Sequence, residues 1–302
     1  MHILQNDEGV IVQAPAKLNL FFEILGKRPD GYHEIETLMV PISWYDTLLF
    51  REDPSGQIHL SCKVSSLAQK GDCGKKWTVP EGPENLAFRA VELFRQEAGI
   101  SHGARMLLVK RIPPAAGLGG GSSDAAAALM AANLAWKLFW PCSALLPLAS
   151  RLGSDVPFFL AESPAICRGR GEKIEPIPSG GRGYFVVVHP PAGLSTAEVY
   201  RHCEVPARAR SIEPVRKVWQ EGNMAALGAL LWNQLQPPAE RLCPWIVRIR
   251  ECLEREDVLG HRLTGSGTAY FGICRHARHA RRVARRLHAT GLGTVVAVHS
   301  CR

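Results

Sequence analysis

Residues 113–124 read Pro113-Pro114-Ala115-Ala116-Gly117-Leu118-Gly119-Gly120-Gly121-Ser122-Ser123-Asp124. Four glycines fall in five positions, interrupted only by Leu118. Each Gly costs roughly 0.5–1 kcal/mol relative to Ala in regular structure, so the run belongs in a loop whose backbone approaches something closely. The alanine-rich stretch that follows predicts a helix to about Trp136, with Ser122, Ser123 and Asp124 as its N-cap oxygens. A helix N-terminus offers unpaired N–H groups and about half a positive charge, which suit a phosphate. Two familiar glycine loops do not fit. A P-loop needs Lys-Ser/Thr after its last Gly, where this chain has Ser-Ser-Asp. The dinucleotide fingerprint fails at its third glycine, where Ser122 stands.

Upstream, 106–109 predicts the strand that leads into the loop, and Leu86, Ala90, Leu93 and Phe94 recur at helical spacing after Glu84-Asn85. Strands are expected at 10–12, 18–25, 48–51 and 58–60, with a turn at 27–31 (Lys-Arg-Pro-Asp-Gly). The polar stretch 62–83 reads as a surface insertion. Downstream, Leu145, Leu148 and Ala149 mark a helix ending at Gly153, and Ser154-Asp155-Val156-Pro157 a helix-to-strand junction. A second half beginning near Ala165 shows a buried strand at 184–189 and a helix at 196–200 capped by Thr196. Two helices are expected within 212–256, then a second glycine turn at Gly265-Ser266-Gly267, a strand at 269–273, an Arg-rich helix and a last strand at 294–299. Strands and helices alternate without strict βαβ units, so the fold class expected is α+β.

The chain has 302 residues, 36 basic and 28 acidic, for a net charge of +8, and 46% hydrophobic content, the composition of a globular protein. The longest apolar run, 125–132, is far short of the roughly 20 residues that span a bilayer. The first ten residues carry no signal-peptide pattern, so a cytoplasmic chain without a membrane partner is expected. Nine cysteines without Cys-x-x-Cys spacing argue against a zinc ribbon and read as reduced, mostly buried thiols. His276 and His279 read as solvated. The positive charge points to an anionic partner, and the segment 275–286 alone carries six arginines and no acid.

Pro113 to Leu129 resembles the ATP-binding loop of the GHMP kinases. Further blocks match in family order: Pro15-Ala16-Lys17-Leu18-Asn19-Leu20, Gly26 to His33, residues 152–159, Gly169-Arg170-Gly171-Glu172, and Leu263-Thr264-Gly265-Ser266-Gly267. The N-terminal blocks resemble the narrower branch whose members phosphorylate the 2-hydroxyl of 4-diphosphocytidyl-2-C-methyl-D-erythritol, in the methylerythritol phosphate route to isoprenoids. The resemblance implies two domains, 1–162 binding ATP and 163–302 on the substrate side, with the active site in the cleft between them.

It also implies roles. Asp155 is the catalytic base and Lys17 its partner. Asn85, Lys110 and 113–123 hold ATP, which brings Mg²⁺, the metal ligands being undecided. Asn19, Tyr32, His33, Thr196, Tyr200, Gly265 and Ser266 hold a cytidine diphosphate-linked polyol. The residues by themselves leave blander readings open: Asp155 as a turn cap, Lys17 snorkelling at a strand edge, Tyr32 and His33 as a solvated turn tip, Tyr200 as a core aromatic. Three departures stand out. Ala115-Ala116 replace glycines, 62–83 is unusually basic, and Asn233-Gln234-Leu235-Gln236 lacks the acids expected there, putting a carboxylate ligand for Mg²⁺ in doubt. The rivals are another GHMP kinase, of homoserine or mevalonate type, and a nucleic-acid-binding protein using the Arg-rich helix. The first lacks a use for the Asp-Gly-Tyr-His segment; the second leaves the glycine loop unexplained. The expected assembly is a monomer or homodimer, with no nucleic acid bound and the Arg-rich helix a solvated face.

Overall fold

The computed structural model describes residues 1–65, 78–178 and 180–301. The interior of the 62–83 stretch, with Cys73, lies outside the described residues. The first half is built on two long antiparallel strands, β2 (Gly9–Lys27) and β3 (His33–Asp53), joined at the expected Lys27–Gly31 turn. The expected short strands at 10–12 and 18–25 are one strand. A register shift between Pro15 and Ala16 lets it serve two cores. Val10, Val12 and Ala14 face one, and Ala16, Leu18 and Leu20 the other.

β1 (His2–Asn6) pairs with the start of β2. β4 (Ile58–Val64) and β5 (Gly103–Lys110) extend the sheet beyond β3. Across one face lie α1 (Leu86–Ala98) and α2 (Gly120–Ala135). Nearly every side of α2 is buried, and its alanines let the strands approach closely. A larger residue at Ala127 or Ala128 would overpack this core at about 1–3 kcal/mol. α3 (Cys142–Leu152) and α4 (Val156–Ala161) complete the layer. The junction expected to run from helix to strand at Asp155 therefore runs from helix to helix, with Pro157 favouring the first turn of α4.

β6 (Ala165–Gly169) pairs with β3, and β7 (Lys173–Pro176) with β6. The first sheet therefore runs past the division expected at 162/163, to Pro176. The second sheet has the order β10-β11-β8-β12, all antiparallel, from β8 (Tyr184–His189), β10 (Gly260–Leu263), β11 (Tyr270–Cys274) and β12 (Thr294–His299). One face packs on the first half through Phe185, Val187 and Phe271. The other carries apolar residues of four further helices or their flanks.

α5 (Thr196–Arg201) takes its N-cap from Ser195, not Thr196. The region 212–256 holds four helices, not two: α6 (Glu213–Gln220), α7 (Met224–Leu230), α8 (Gln236–Leu242) and α9 (Pro244–Glu254). Pro at the starts of three of them breaks what apolar spacing alone joined. Between α7 and α8, β9 (Trp232–Asn233) crosses back to pair with β2. The Arg-rich helix is α10 (Ala277–Ala289), and His276 caps it by accepting from the His279 N–H. His279 is buried rather than solvated, its ring accepting from the Arg275 N–H. Of the eight described cysteines, all free thiols, three are buried, so the expectation of mostly buried cysteines fails.

Candidate active site

A cleft of about 860 Å³ opens between the two halves. Its floor is Lys17, Asn19 and Thr37 on β2 and β3, and one wall is the loop residues Ala115, Gly117 and Gly119. Asp155, Thr196, Tyr200, Gly265 and Ser266 close it, and Tyr32 and His33 stand at its far end. Residues from 17 to 266 that the sequence singled out thus meet around one space.

Lys17 is almost fully buried, and its ammonium donates to Asn19 Oδ1 at 2.5 Å. It faces Asp155 Oδ2 at 3.7 Å. Burial lowers the Lys17 pKa, and the Asp155 carboxylate opposes that by favouring the charged form. Asp155 precedes α4, but its side chain makes no capping bond, which sets aside the turn-cap reading. Its carboxylate is about one third exposed to the cleft. Gly171, at φ 117°, runs its backbone beside Asp155, where a Cβ would stand 3.5 Å from Oδ1.

Asn19 does more internal work than expected. Its Oδ1 accepts from Lys17 and, at 3.2 Å, from the Thr264 hydroxyl, while Nδ2 donates to Thr37 Oγ1 at 2.9 Å. Its backbone N–H donates to Thr264 Oγ1 at 3.0 Å. At 1% exposure it fixes Lys17 and ties β2 to the second half. Thr264 and Thr37 are the residues sequence reasoning missed here. Thr264 stood inside a quoted motif, whereas Thr37 carried no signal.

The glycine loop starts α2 earlier than expected. Gly119, at φ 71°, is the N-cap without a side-chain bond, so Ser122, Ser123 and Asp124 lie inside the first turns rather than capping them. The N–H groups of Gly120, Gly121 and Ser122 precede the first i→i−4 bond, which Ser123 makes to the Gly119 carbonyl. Three glycines are required by the protein itself. A Cβ on Gly117 would lie 2.1 Å from the Thr264 carbonyl oxygen, one on Gly119 2.9 Å from Phe159, and one on Gly120 3.0 Å from Ile112. A Cβ on Gly121 would meet nothing nearer than Leu86 at 3.9 Å. Ala115 sits at φ 52°, a left-handed conformation that suits glycine.

Two residues expected near the nucleotide are engaged elsewhere. The Lys110 ammonium lies beneath the loop between the buried carboxylates of Asp46 and Asp124 and does not reach the cleft. Asn85 caps α1 by accepting from the Ala87 N–H at 2.9 Å, while its Nδ2 donates to the Pro80 carbonyl. Pro113, Ala116 and Leu118 are buried under the loop, while Pro114 is exposed beside it.

At the far end Tyr32 is 53% exposed, with the Arg170 guanidinium 4.7 Å from its ring centre. The His33 and Tyr200 rings lie 5.2 Å apart, and Phe22 meets Tyr200 edge-on. Burial and the nearby Lys27 lower the His33 pKa, leaving a neutral ring that can donate and accept. Burial, with the Asp155 charge, raises that of Tyr200. Thr196 and Ser266 hydrogen-bond at 2.8 Å. Arg170 was quoted within a motif but given no role.

The acid-poor segment 233–236 holds structure together. Asn233 Nδ2 donates to the carbonyls of Leu263 and Gly265, both at 2.8 Å, which sets the second glycine turn. Gln236 Oε1 accepts from the Leu263 N–H. Among the described residues no group of three or more His, Cys, Asp or Glu is placed to hold a metal. No helix among them is long and apolar enough to cross a membrane.

Two family models match the chain: GHMP kinases N terminal domain over residues 85–163 and GHMP kinases C terminal over 215–292. A 4-diphosphocytidyl-2-C-methyl-D-erythritol kinase of Pelotomaculum thermopropionicum is 42% identical over 92% of this chain and 93% of its own length. A crystal structure of 4-(cytidine 5'-diphospho)-2C-methyl-D-erythritol kinase superposes with a TM-score of 0.77 at 34% identity, covering 97% of this chain and 99% of its own. A homoserine kinase from Cytophaga hutchinsonii shares the fold, with a TM-score of 0.75 at 15% identity, over 99% of this chain and 96% of its own.

Proposed function

The chain belongs to the GHMP kinases, in the 4-diphosphocytidyl-2-C-methyl-D-erythritol kinase family, and from that premise we propose what each part of the cleft does. The reaction is transfer of the γ-phosphoryl group of ATP to the 2-hydroxyl of 4-diphosphocytidyl-2-C-methyl-D-erythritol, a step of the methylerythritol phosphate route, in the cytoplasm. The observation that carries this reading is one cleft holding a phosphate-suited loop, a Lys–Asp pair and an aromatic cluster.

Phosphoryl transfer asks the protein for positioning and for neutralised charge. The first-turn N–H groups at Gly120, Gly121 and Ser122 hold the phosphates of ATP, assisted by the helix dipole. Mg²⁺ arrives on the nucleotide as part of that substrate. Asp155 accepts the proton of the attacking hydroxyl. Lys17, locked by Asn19, orients the carboxylate, and its own buried charge faces the transferring group. The aromatic end takes the cytosine, with Tyr32 stacking on its face and His33 hydrogen-bonding its edge. Tyr200 backs His33, and Thr196 with Ser266 lines the polyol.

The test is a coupled ADP-release assay with the cytidine substrate beside homoserine, mevalonate and galactose. Turnover with the cytidine substrate alone is expected. Turnover only with one of the other three would overturn the assignment.

A further inference from the structure

The buried cluster beneath the glycine loop has no role in the chemistry just described. Lys110 is the last residue of β5, and its ammonium donates to both Asp46 on β3 and Asp124 on α2. Asp46 Oδ1 also accepts the N–H groups of Arg111 and Ile112, which begin the loop, the second at 2.9 Å. Gly120 lies directly above, where a Cβ would stand 3.4 Å from Lys110 Nζ. One cation therefore fastens the start of the loop and the first turns of α2 to the sheet. All three side chains are at most 5% exposed.

The charges do not balance. Two carboxylates face one ammonium, and Asp124 Oδ1 is buried without a hydrogen-bond partner among the described residues. A buried carboxylate lacking a partner favours its protonated form. A triphosphate on the N-terminus of α2 adds negative charge above the cluster and favours it further.

We propose that Lys110, Asp46 and Asp124 form a positioning clamp for the phosphate loop, and that nucleotide binding draws one proton from solvent onto Asp124. The proposal rests on the kinase reading of the loop. Burial, and after it Asp46, raise the Asp124 pKa against the pull of Lys110. For Lys110, burial opposes the charge, but Asp124 and Asp46 outweigh it and hold its pKa up. Among the described residues the Cys62 thiol on β4 also faces the cluster, and burial with the nearby Glu81 and Asp124 pushes it up to about 11. It stays neutral while Asp124 titrates.

The sign follows. Below its raised pKa Asp124 already holds the proton; above it, binding must import one. Nucleotide affinity therefore falls as pH rises, by up to about tenfold per unit. Calorimetric binding of a non-hydrolysable ATP analogue, from mildly acidic to mildly alkaline buffer, tests this without the acceptor substrate. The wild type is expected to take up more protons per site than Asp124→Asn, whose affinity follows only the analogue's own titration. Equal pH dependence in the two proteins overturns the proposal. If Asp124→Asn does not fold, the wild type's proton uptake in buffers of different ionisation enthalpy decides, and zero uptake beyond the analogue's own overturns it. Lys110→Met is expected to raise KM for ATP about tenfold or more with KM for the acceptor unchanged. An equal rise in both marks a merely structural residue and also overturns the clamp. No binding of the analogue by the wild type would overturn the kinase reading together with the clamp, whereas binding without proton uptake overturns the clamp alone.

Discussion

At one end of the cleft, Gly117, Gly119 and Gly120 each have protein atoms where a Cβ would go, and the helix behind them is buried nearly all round. At the other, Tyr32 stands half exposed with Arg170 over its ring. The loop end is complete without a ligand, because sheet, helix and second half already dictate its shape. The aromatic end is more open, and on the proposed reading its rings take a flat ligand between them. Preorganised donors serve chemistry, where misplacement by an ångström is costly, whereas an adaptable aromatic pocket serves affinity. Substitutions at the loop end should therefore change kcat, folding or KM for ATP, and those at the aromatic end KM for the cytidine substrate alone.

The largest effect is expected midway, at Asp155→Asn. Loss of the base should lower kcat by about 10²–10⁴-fold with the circular dichroism spectrum unchanged. Near-normal turnover would place the base elsewhere. Next comes Gly117→Ala, whose Cβ would collide with the Thr264 carbonyl. A loss of at least about 2 kcal/mol in denaturant-derived stability is expected. Unchanged stability would show the loop end to be looser than its packing implies. Tyr32→Ala should raise KM for the cytidine substrate by about 5–100-fold, the worth of one base–aromatic stack, with KM for ATP unchanged. An equal rise for both substrates would erase the contrast between the ends. Gly121→Ala meets no protein atom, so its fold should hold while KM for ATP rises by about tenfold from crowding of the phosphates. A normal KM would move the phosphates away from that turn. The smallest effect is Ala115→Gly, which relieves a left-handed alanine and should stabilise the protein by up to about 1 kcal/mol in the same denaturant titration.

The glycine loop was legible because conformation and close approach restrict residue choice to one type. Lys17 stood out as a charge in an apolar strand, but its pairing with Asp155, and the role expected of Asp155, came only from the family resemblance. What escaped was local competition for the same groups. Nothing in the sequence shows that Asp46 and Asp124 occupy Lys110, since the three come together only through the register of β3 and β5 and the placement of α2. Asn19 and Asn85 were singled out for ligands, and the sequence did not show that both also bond to their own neighbours. The helices within 212–256 were merged because short helices opened by Pro carry too few turns to show their period. The strand 33–47 was missed for a related reason: its middle, 37–42, is buried on both faces, so the alternation that marks a half-buried strand is broken there.

The return of β9 to pair with β2, and of the C-terminal residues Ser300 and Cys301 to bond with Ile42 and Pro41 on β3, binds the halves at places far apart in the chain. Neither half is a detachable module. A gene divided between residues 177 and 183 would encode one fragment whose first sheet lacks β9 and another whose β9 has no partner strand. Produced together, the fragments should associate and restore the cleft; produced singly, each would leave a strand edge open to aggregation.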